Sequence, residues 1–178
     1  MQDDGQGRFA ALVLPHLDAA YNLARWLVDD ATLAQDIVQD AVMRALGYFG
    51  SFRGGDARAW LLRIVRNTAY TALAARNRGG TASLDAVGRD GEATALQVHD
   101  PADDPEAALA RSEGAAQLDR ALAALPLELR ECLVLRELQE LSYKEISHVT
   151  GVPIGTVMSR LWRARQVLMR GPVEGDKT

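Results

Sequence analysis

Residues 142–169, SYKEISHVTGVPIGTVMSRLWRARQVLM, constrain the fold more tightly than any other stretch of the chain. Ser142 followed three positions later by Glu145 has the spacing of a capping box, in which a hydroxyl and a carboxylate each satisfy a backbone N–H at a helix start. Ile146 and Val149 fall on one side of the short helix that follows, and Ser147 is small enough to let a second helix cross closely. Gly151 supplies the turn, where the missing Cβ permits a positive φ. Pro153 then stands at the first position of a new helix, where its lack of an N–H costs nothing. Beyond it Val157, Leu161, Ala164 and Leu168 recur at helical spacing and predict a buried stripe. The other face carries Thr156, Ser159, Arg160, Trp162, Arg163 and Arg165. Two helices about a tight turn, the second basic, make a helix-turn-helix whose hydroxyls and guanidinium forks suit phosphates and base edges in the major groove. The competing reading is an amphipathic hairpin whose arginines are simply solvated.

The rest of the chain reads as helical too. Its 178 residues suffice for one medium domain or two small ones, and 48% are hydrophobic while only 6% are aromatic. A composition dominated by alanine and leucine favours helices over sheets. No run of about eighteen apolar residues occurs, and the start MQDDGQGRF lacks the charge-then-apolar order of a signal peptide. A cytoplasmic protein without membrane insertion is expected. The single cysteine, Cys132, lies in an apolar helical stretch and reads as a buried structural thiol.

Net charge is −4, which taken alone argues against a nucleic-acid partner. The distribution reverses that argument. Arg53, Arg58, Arg63, Arg66, Arg76 and Arg78 crowd a segment whose one acid is Asp56, and Arg160, Arg163, Arg165 and Arg170 crowd another. Between them lie Asp85, Asp90, Glu92, Asp100, Asp103, Asp104 and Glu106.

Taken in order, residues 1–78 form a first helical domain. Leu12, Leu17, Tyr21, Leu23, Ala24 and Leu27 support one or two helices, with Pro15 near the start and a break at Asp29-Asp30. Thr32 is placed to cap the next helix, whose apolar side is Leu33, Ile37, Ala41, Val42 and Ala45. Gln35, Asp36, Gln39 and Asp40 gather on its opposite side. Residues 48–56 make an aromatic, glycine-rich loop, and 57–75 a long helix with Trp60, Leu61, Ile64, Val65, Thr68 and Leu73 as core or rim. Residues 79–105 are rich in glycine, aspartate and small side chains without periodicity, and read as a flexible acidic linker. A second helical domain spans 106–170. Leu109, Leu118, Ala121, Leu122 and Leu125 mark one helix and residues 127–138 the next, with Leu129, Cys132, Leu133 and Leu135 inward. A polar tail follows over 171–178. The fold class is all-α: two small helical domains on a linker, the second ending in the helix-turn-helix.

Two basic helical modules on an acidic tether resemble the extracytoplasmic-function (ECF) sigma factors of bacterial RNA polymerase, in the sigma-70 family. AQDIVQDAVMRAL followed by FRGGDARAWLLRIVRNTAY is similar to the family's region two, and LPLELRECLVLRELQELSYKEISHVTGVPIGTVMSRLWRAR to region four. The resemblance covers nearly everything outside the linker, with no segment similar to region one or region three.

The resemblance implies a role for each surface. Gln35, Asp36, Gln39 and Asp40, with Arg44 one turn on, would grip the clamp helices of the largest polymerase subunits; on composition alone such a face would be wet surface. Phe52, Arg53, Asp56, Arg63, Arg66 and Asn67 would capture the melted minus-ten element, aromatic and basic side chains holding unstacked bases and backbone. Asn67, whose amide both donates and accepts, is the foremost base reader, and Trp60 reads as core rather than as a stacking platform. Thr156, Met158, Ser159, Arg160, Trp162 and Arg163 would meet the minus-thirty-five element. Met158 departs from the family, which commonly has a basic residue there, and an apolar contact with a thymine methyl is one reading of it. The implied partners are core RNA polymerase through its clamp helices and flap, promoter DNA both duplex and melted, and an anti-sigma factor. The linker either threads the polymerase cleft as a nucleic-acid mimic or serves as a solubilising tether. A tether also lets the modules close on each other, or on an anti-sigma protein, while inactive.

No catalytic constellation is visible. His16, His99 and His148 are scattered, the glycines near Gly54 and Gly79 form neither a phosphate loop nor a dinucleotide fingerprint, and no cofactor is implied. The sequence thus predicts an alternative sigma factor rather than an enzyme. The rival is a conventional helix-turn-helix regulator that binds duplex DNA without replacing the polymerase's sigma subunit.

Overall fold

The computed structural model describes residues 3–79 and 105–171, and both segments are helical. The linker assigned to 79–105 lies outside the described residues except for Gly79, which closes one helix, and Pro105, which opens the next. The tail assigned to 171–178 lies outside them except for Gly171.

The first module contains α1 (Asp3–Val13), α2 (Leu17–Val28), α3 (Ala31–Tyr48) and α4 (Ala57–Gly79). Short 3₁₀ turns at Leu14–His16 and Phe49–Ser51 follow α1 and α3. Pro15 sits inside the first turn, where its fixed φ is tolerated and its missing N–H is not needed. Asp29 ends α2 in the left-handed conformation at φ 49, a position where aspartate is among the few side chains tolerated. Asp30, not Thr32, caps α3: its carboxylate accepts the Leu33 amide at 3.0 Å. The helix therefore starts two residues earlier than a Thr32 cap requires, because an extended Asp30 (ψ 115) already places its oxygen over the first turn. Helices α2, α3 and α4 pack on one another through small and branched side chains. Ala20, Leu23, Ala24, Ala34, Ile37, Ala41, Leu61, Leu62 and Val65 are all closed to solvent. Alanines at the crossing points allow close approach, and leucines and valines fill the space between.

The second module contains α5 (Pro105–Ala123), α6 (Leu127–Leu133), α7 (Tyr143–Thr150) and α8 (Ile154–Arg170). The helix expected over 127–138 is α until Leu133 and then widens into a π-turn over Val134–Leu138. Leu109 and Leu118, among the residues whose spacing marks α5 in the sequence, are 62% and 53% exposed. Only near its end, at Leu122, does α5 join the core, so the apolar pattern of its first turns has no partner within the described residues.

The capping box at α7 is complete: Ser142 Oγ accepts the Glu145 amide at 3.1 Å and the Glu145 carboxylate accepts the Ser142 amide at 2.7 Å. Gly151 takes φ 75, and Ser147 Oγ donates to the Val152 carbonyl across the turn at 2.6 Å. Pro153 is the N-cap of α8 rather than its first residue, its ψ of 152 being still extended. Val157, Leu161 and Ala164 are buried as the stripe requires, and Leu168 is half-buried.

The two modules lie against each other. α4 packs on α7, and α2 on α6 and the π-turn. Gln139 Nε2 donates to the Ala19 carbonyl at 3.3 Å, and Arg130 donates to the Trp26 carbonyl at 2.9 Å.

Candidate polymerase and nucleic-acid surfaces

The polar side of α3 faces solvent, because the helix turns Ala34, Ile37, Ala41 and Ala45 into the core. Gln35, Asp36, Gln39, Asp40 and Arg44 are all exposed on it. Arg44 Nε donates to Asp40 at 3.1 Å, an i,i+4 pair open to water and so worth little to stability. Met43 joins the same surface at 63% exposure. Carboxylates, amides and an apolar spot thus make one continuous helix face.

Between α3 and α4 the aromatic residues form a chain. Phe9 meets Phe49 edge-on at 5.5 Å, Phe49 stacks near Phe52 at 6.4 Å, and Phe52 lies 4.8 Å from Trp60. Trp60 is half-buried against the core, in keeping with the sequence reading, and Phe52 is the half-exposed end of the chain. Gly54 and Gly55, at φ 90 and 99, adopt backbone that side-chain-bearing residues rarely take, and so turn the chain into α4. Arg53 is exposed beside them.

Asp56 spends its Oδ1 at the start of α4, accepting the Arg58 amide at 2.9 Å and the Ala59 amide at 3.2 Å. Partial burial would raise its pKa, but the Ala59 and Arg58 amides that donate to it hold it below the usual carboxylate value. Asp56 is therefore first a helix cap.

Arg63 and Asn67 are exposed on α4. Arg66 is not: its side chain is 17% exposed, its Nε is hydrogen-bonded to Glu131 of α6, and its guanidinium lies 3.7 Å over the Tyr70 ring. Tyr70 donates its hydroxyl to the second Glu131 oxygen at 2.8 Å. Burial disfavours the Arg66 charge, yet the Glu131 carboxylate outweighs it and raises the Arg66 pKa. Burial, then the negative charge of Glu131, raises that of Tyr70. Arg66 also reaches the Asn67 amide oxygen at 3.4 Å.

On α8, Thr156 is half-buried, while Met158, Ser159, Trp162 and Arg163 are exposed, Trp162 by 62%. Ser159 turns its hydroxyl to the Thr156 carbonyl at 3.0 Å. Arg160 is drawn inward: it is half-buried with Nη1 enclosed and unpartnered, and its guanidinium lies beside the Cys132 thiol. Arg165 pairs with Glu137 at 3.0 Å and so braces α8 against the π-turn.

Glu131 and Tyr70 carry no assignment in the sequence reading. Glu131 was legible in one respect: it stands between Leu127 and Leu135 at four-residue spacing, a carboxylate in line with leucines. Among the described residues no cluster of histidine, cysteine and carboxylate side chains is placed to hold a metal ion. No helix there is long and apolar enough to cross a membrane.

Two helical modules, one ending in a helix-turn-helix and the other carrying an aromatic-basic loop and helix, define a DNA-binding protein of transcription. Residues 12–79 match the family described as Sigma-70 region 2, and residues 115–168 match Sigma-70, region 4. The RNA polymerase sigma-H factor of Pseudomonas aeruginosa is 37% identical over 165 residues, which span 90% of this chain and 83% of that one. The ECF RNA polymerase sigma-E factor of Escherichia coli K12 is 33% identical over 170 residues, 94% of this chain and 88% of its own. Among solved structures, the sigma factor RpoE in complex with the anti-sigma factor NepR, from Bartonella quintana, matches with a TM-score of 0.67 at 26% identity, covering 96% of each chain. The chain belongs to the sigma-70 family of RNA polymerase sigma factors, in its ECF group.

Proposed function

We propose that this chain is an alternative sigma factor: it joins core RNA polymerase, directs it to a class of two-part promoters and promotes their opening. The observation that carries the reading is the coexistence, on one chain of this family, of an exposed polar face on α3 and two separate basic DNA-facing elements. Gln35, Asp36, Gln39, Asp40 and Arg44 bind the polymerase clamp helices, and the second module meets the flap. Phe52 takes an unstacked minus-ten base, Arg53, Arg63 and Arg66 hold the strand's phosphates, and Asn67 reads a base edge. Asp56 fixes the start of the helix that presents them. Thr156, Met158, Ser159, Trp162 and Arg163 enter the major groove of the minus-thirty-five element, with Met158 against a thymine methyl, and Arg160 joins them only if it turns outward from beside Cys132.

The protein acts in the cytoplasm, without a cofactor and without catalysis of its own: it contributes binding and strand separation, and the polymerase makes the bonds. The domain assignment follows the same division, with 1–78 as region two, 79–105 as the linker and 106–170 as region four. Relatives in the family include a protein solved with an anti-sigma factor, which supports an inhibitory protein partner here as well.

The test is a binding titration of labelled protein with core polymerase. Asp36→Ala with Gln39→Ala should abolish assembly while leaving the far-ultraviolet circular dichroism unchanged. Full-strength assembly by that variant would remove α3 from the polymerase interface. Tight sequence-specific duplex binding, with no affinity for core polymerase, would identify a conventional helix-turn-helix regulator.

A further inference from the structure

The least expected residue in the molecule is Glu131. It is a carboxylate with no solvent exposure, on a helix of the second module, and both of its described hydrogen-bond partners belong to the first. Arg66 binds one oxygen and the Tyr70 hydroxyl the other. A buried ionised carboxylate is tolerated only when paired and hydrogen-bonded, so the charge of Glu131 is satisfied only while the modules are together. Separation hydrates Glu131 and frees the Arg66 guanidinium at the same moment.

Arg66 is also the central basic residue of the α4 surface proposed for the melted strand. A carboxylate and a phosphate present similar paired oxygens to a guanidinium, and one guanidinium fork cannot be fully given to both. In this arrangement Arg66 is taken by Glu131, and the Asn67 amide oxygen accepts from Arg66. On the second module, Arg160 is turned inward beside Cys132, next to Glu131 in the chain.

We propose that Glu131 is the bolt of an intramolecular latch. It stands in for a DNA phosphate on Arg66, holds the two modules closed, and keeps the chain from engaging promoter and polymerase until the modules part. Its claim on DNA rests on the function proposed above, but its claim on module closure does not.

The experiment uses the full chain with a fluorophore pair at Ser51→Cys and Met169→Cys, both exposed positions, with the buried Cys132 left in place. Energy transfer reports the separation of the modules. Glu131→Gln keeps the size of the side chain and removes its charge. It should raise the open-to-closed ratio by about tenfold or more, as expected for loss of a buried pair. Tyr70→Phe, which leaves the carboxylate and its salt bridge in place, should shift the ratio in the same direction by less. In transcription with core polymerase, Glu131→Gln should reach half-maximal output at a lower protein concentration than the unmodified chain.

Unchanged energy transfer in both variants would overturn the latch, and Tyr70→Phe decides the matter should Glu131→Gln fail to fold. Opening without any gain in transcription would overturn its inhibitory role. An unmodified chain that supports no transcription would refute the proposed function instead, and the distance measurement, made without polymerase, would still judge the latch.

Discussion

The Phe52 ring lies 4.8 Å from that of Trp60, tilted 43° to it, so that the loop entering α4 ends in an aromatic shelf backed by the core. Trp60 is anchored and Phe52 is the half-exposed member, which gives the pair the form of a supported platform. Replacing Phe52 by alanine should weaken binding of melted minus-ten strand by about 1–3 kcal/mol, the worth of one stacked base. Fluorescence of 2-aminopurine placed in that element, in the assembled holoenzyme, reads the loss. Core-polymerase affinity should not change, and an unaltered fluorescence response in the variant would remove Phe52 from the strand-capture surface.

Arg163 is exposed on α8 and makes no ion pair among the described residues. Arg163→Ala should weaken binding to the minus-thirty-five duplex similarly across sequences. It should also flatten the slope of log affinity against log salt by roughly 0.9, one phosphate's share of counterion release. Affinity titrations of the holoenzyme at several salt concentrations give both numbers. A changed sequence preference at constant slope would instead make Arg163 a base reader.

The helix-turn-helix depends on the reciprocal hydrogen bonds of Ser142 and Glu145. Ser142→Ala should cost about 1 kcal/mol of unfolding free energy, and Ser142→Thr much less, because threonine retains the capping oxygen. Urea denaturation followed by circular dichroism distinguishes the two. Equal losses in both variants would mean that the hydroxyl is not what matters there.

Cys132 is buried, and burial, followed by the negative charge of Glu131, pushes its pKa from an ordinary 9.0 up to about 11. The folded state thus holds the thiol proton more tightly than the unfolded chain does. Its stabilising effect is complete below pH 9 and is lost as the pH rises towards about 11, by on the order of 2 kcal/mol. The difference in unfolding free energy between the natural chain and Cys132→Ala, measured at several pH values, should fall through that window. A pH-independent difference would show that the thiol titrates alike in both states.

Much of this architecture is written locally in the chain. Ser142, Glu145 and Gly151 act over three or four residues, and the α8 stripe follows helical period, so neither needs tertiary information. What the sequence left undecided is also local in origin. Thr32 and Asp30 are both competent caps, and only the extended backbone of Asp30 decides between them. Leu109 and Leu118 carry a helical apolar pattern, but pattern alone does not say whether a partner surface is present. Glu131, Tyr70 and Gln139 are a different case. Their partners stand 65, 61 and 120 positions away in sequence, so their roles exist only once the modules have packed. The same is true of Arg66, whose basic character was plain while its engagement with Glu131 was not.

The central claim is that this chain confers promoter-specific initiation on a polymerase that lacks it. Run-off transcription with purified core polymerase on a library of genomic promoter fragments, with and without the protein, tests it most directly. The account predicts discrete transcripts that appear only with the protein and vanish with Asn67→Ala or with the Asp36→Ala, Gln39→Ala pair. Duplex DNA binding that yields no polymerase-dependent transcript from any fragment would contradict it.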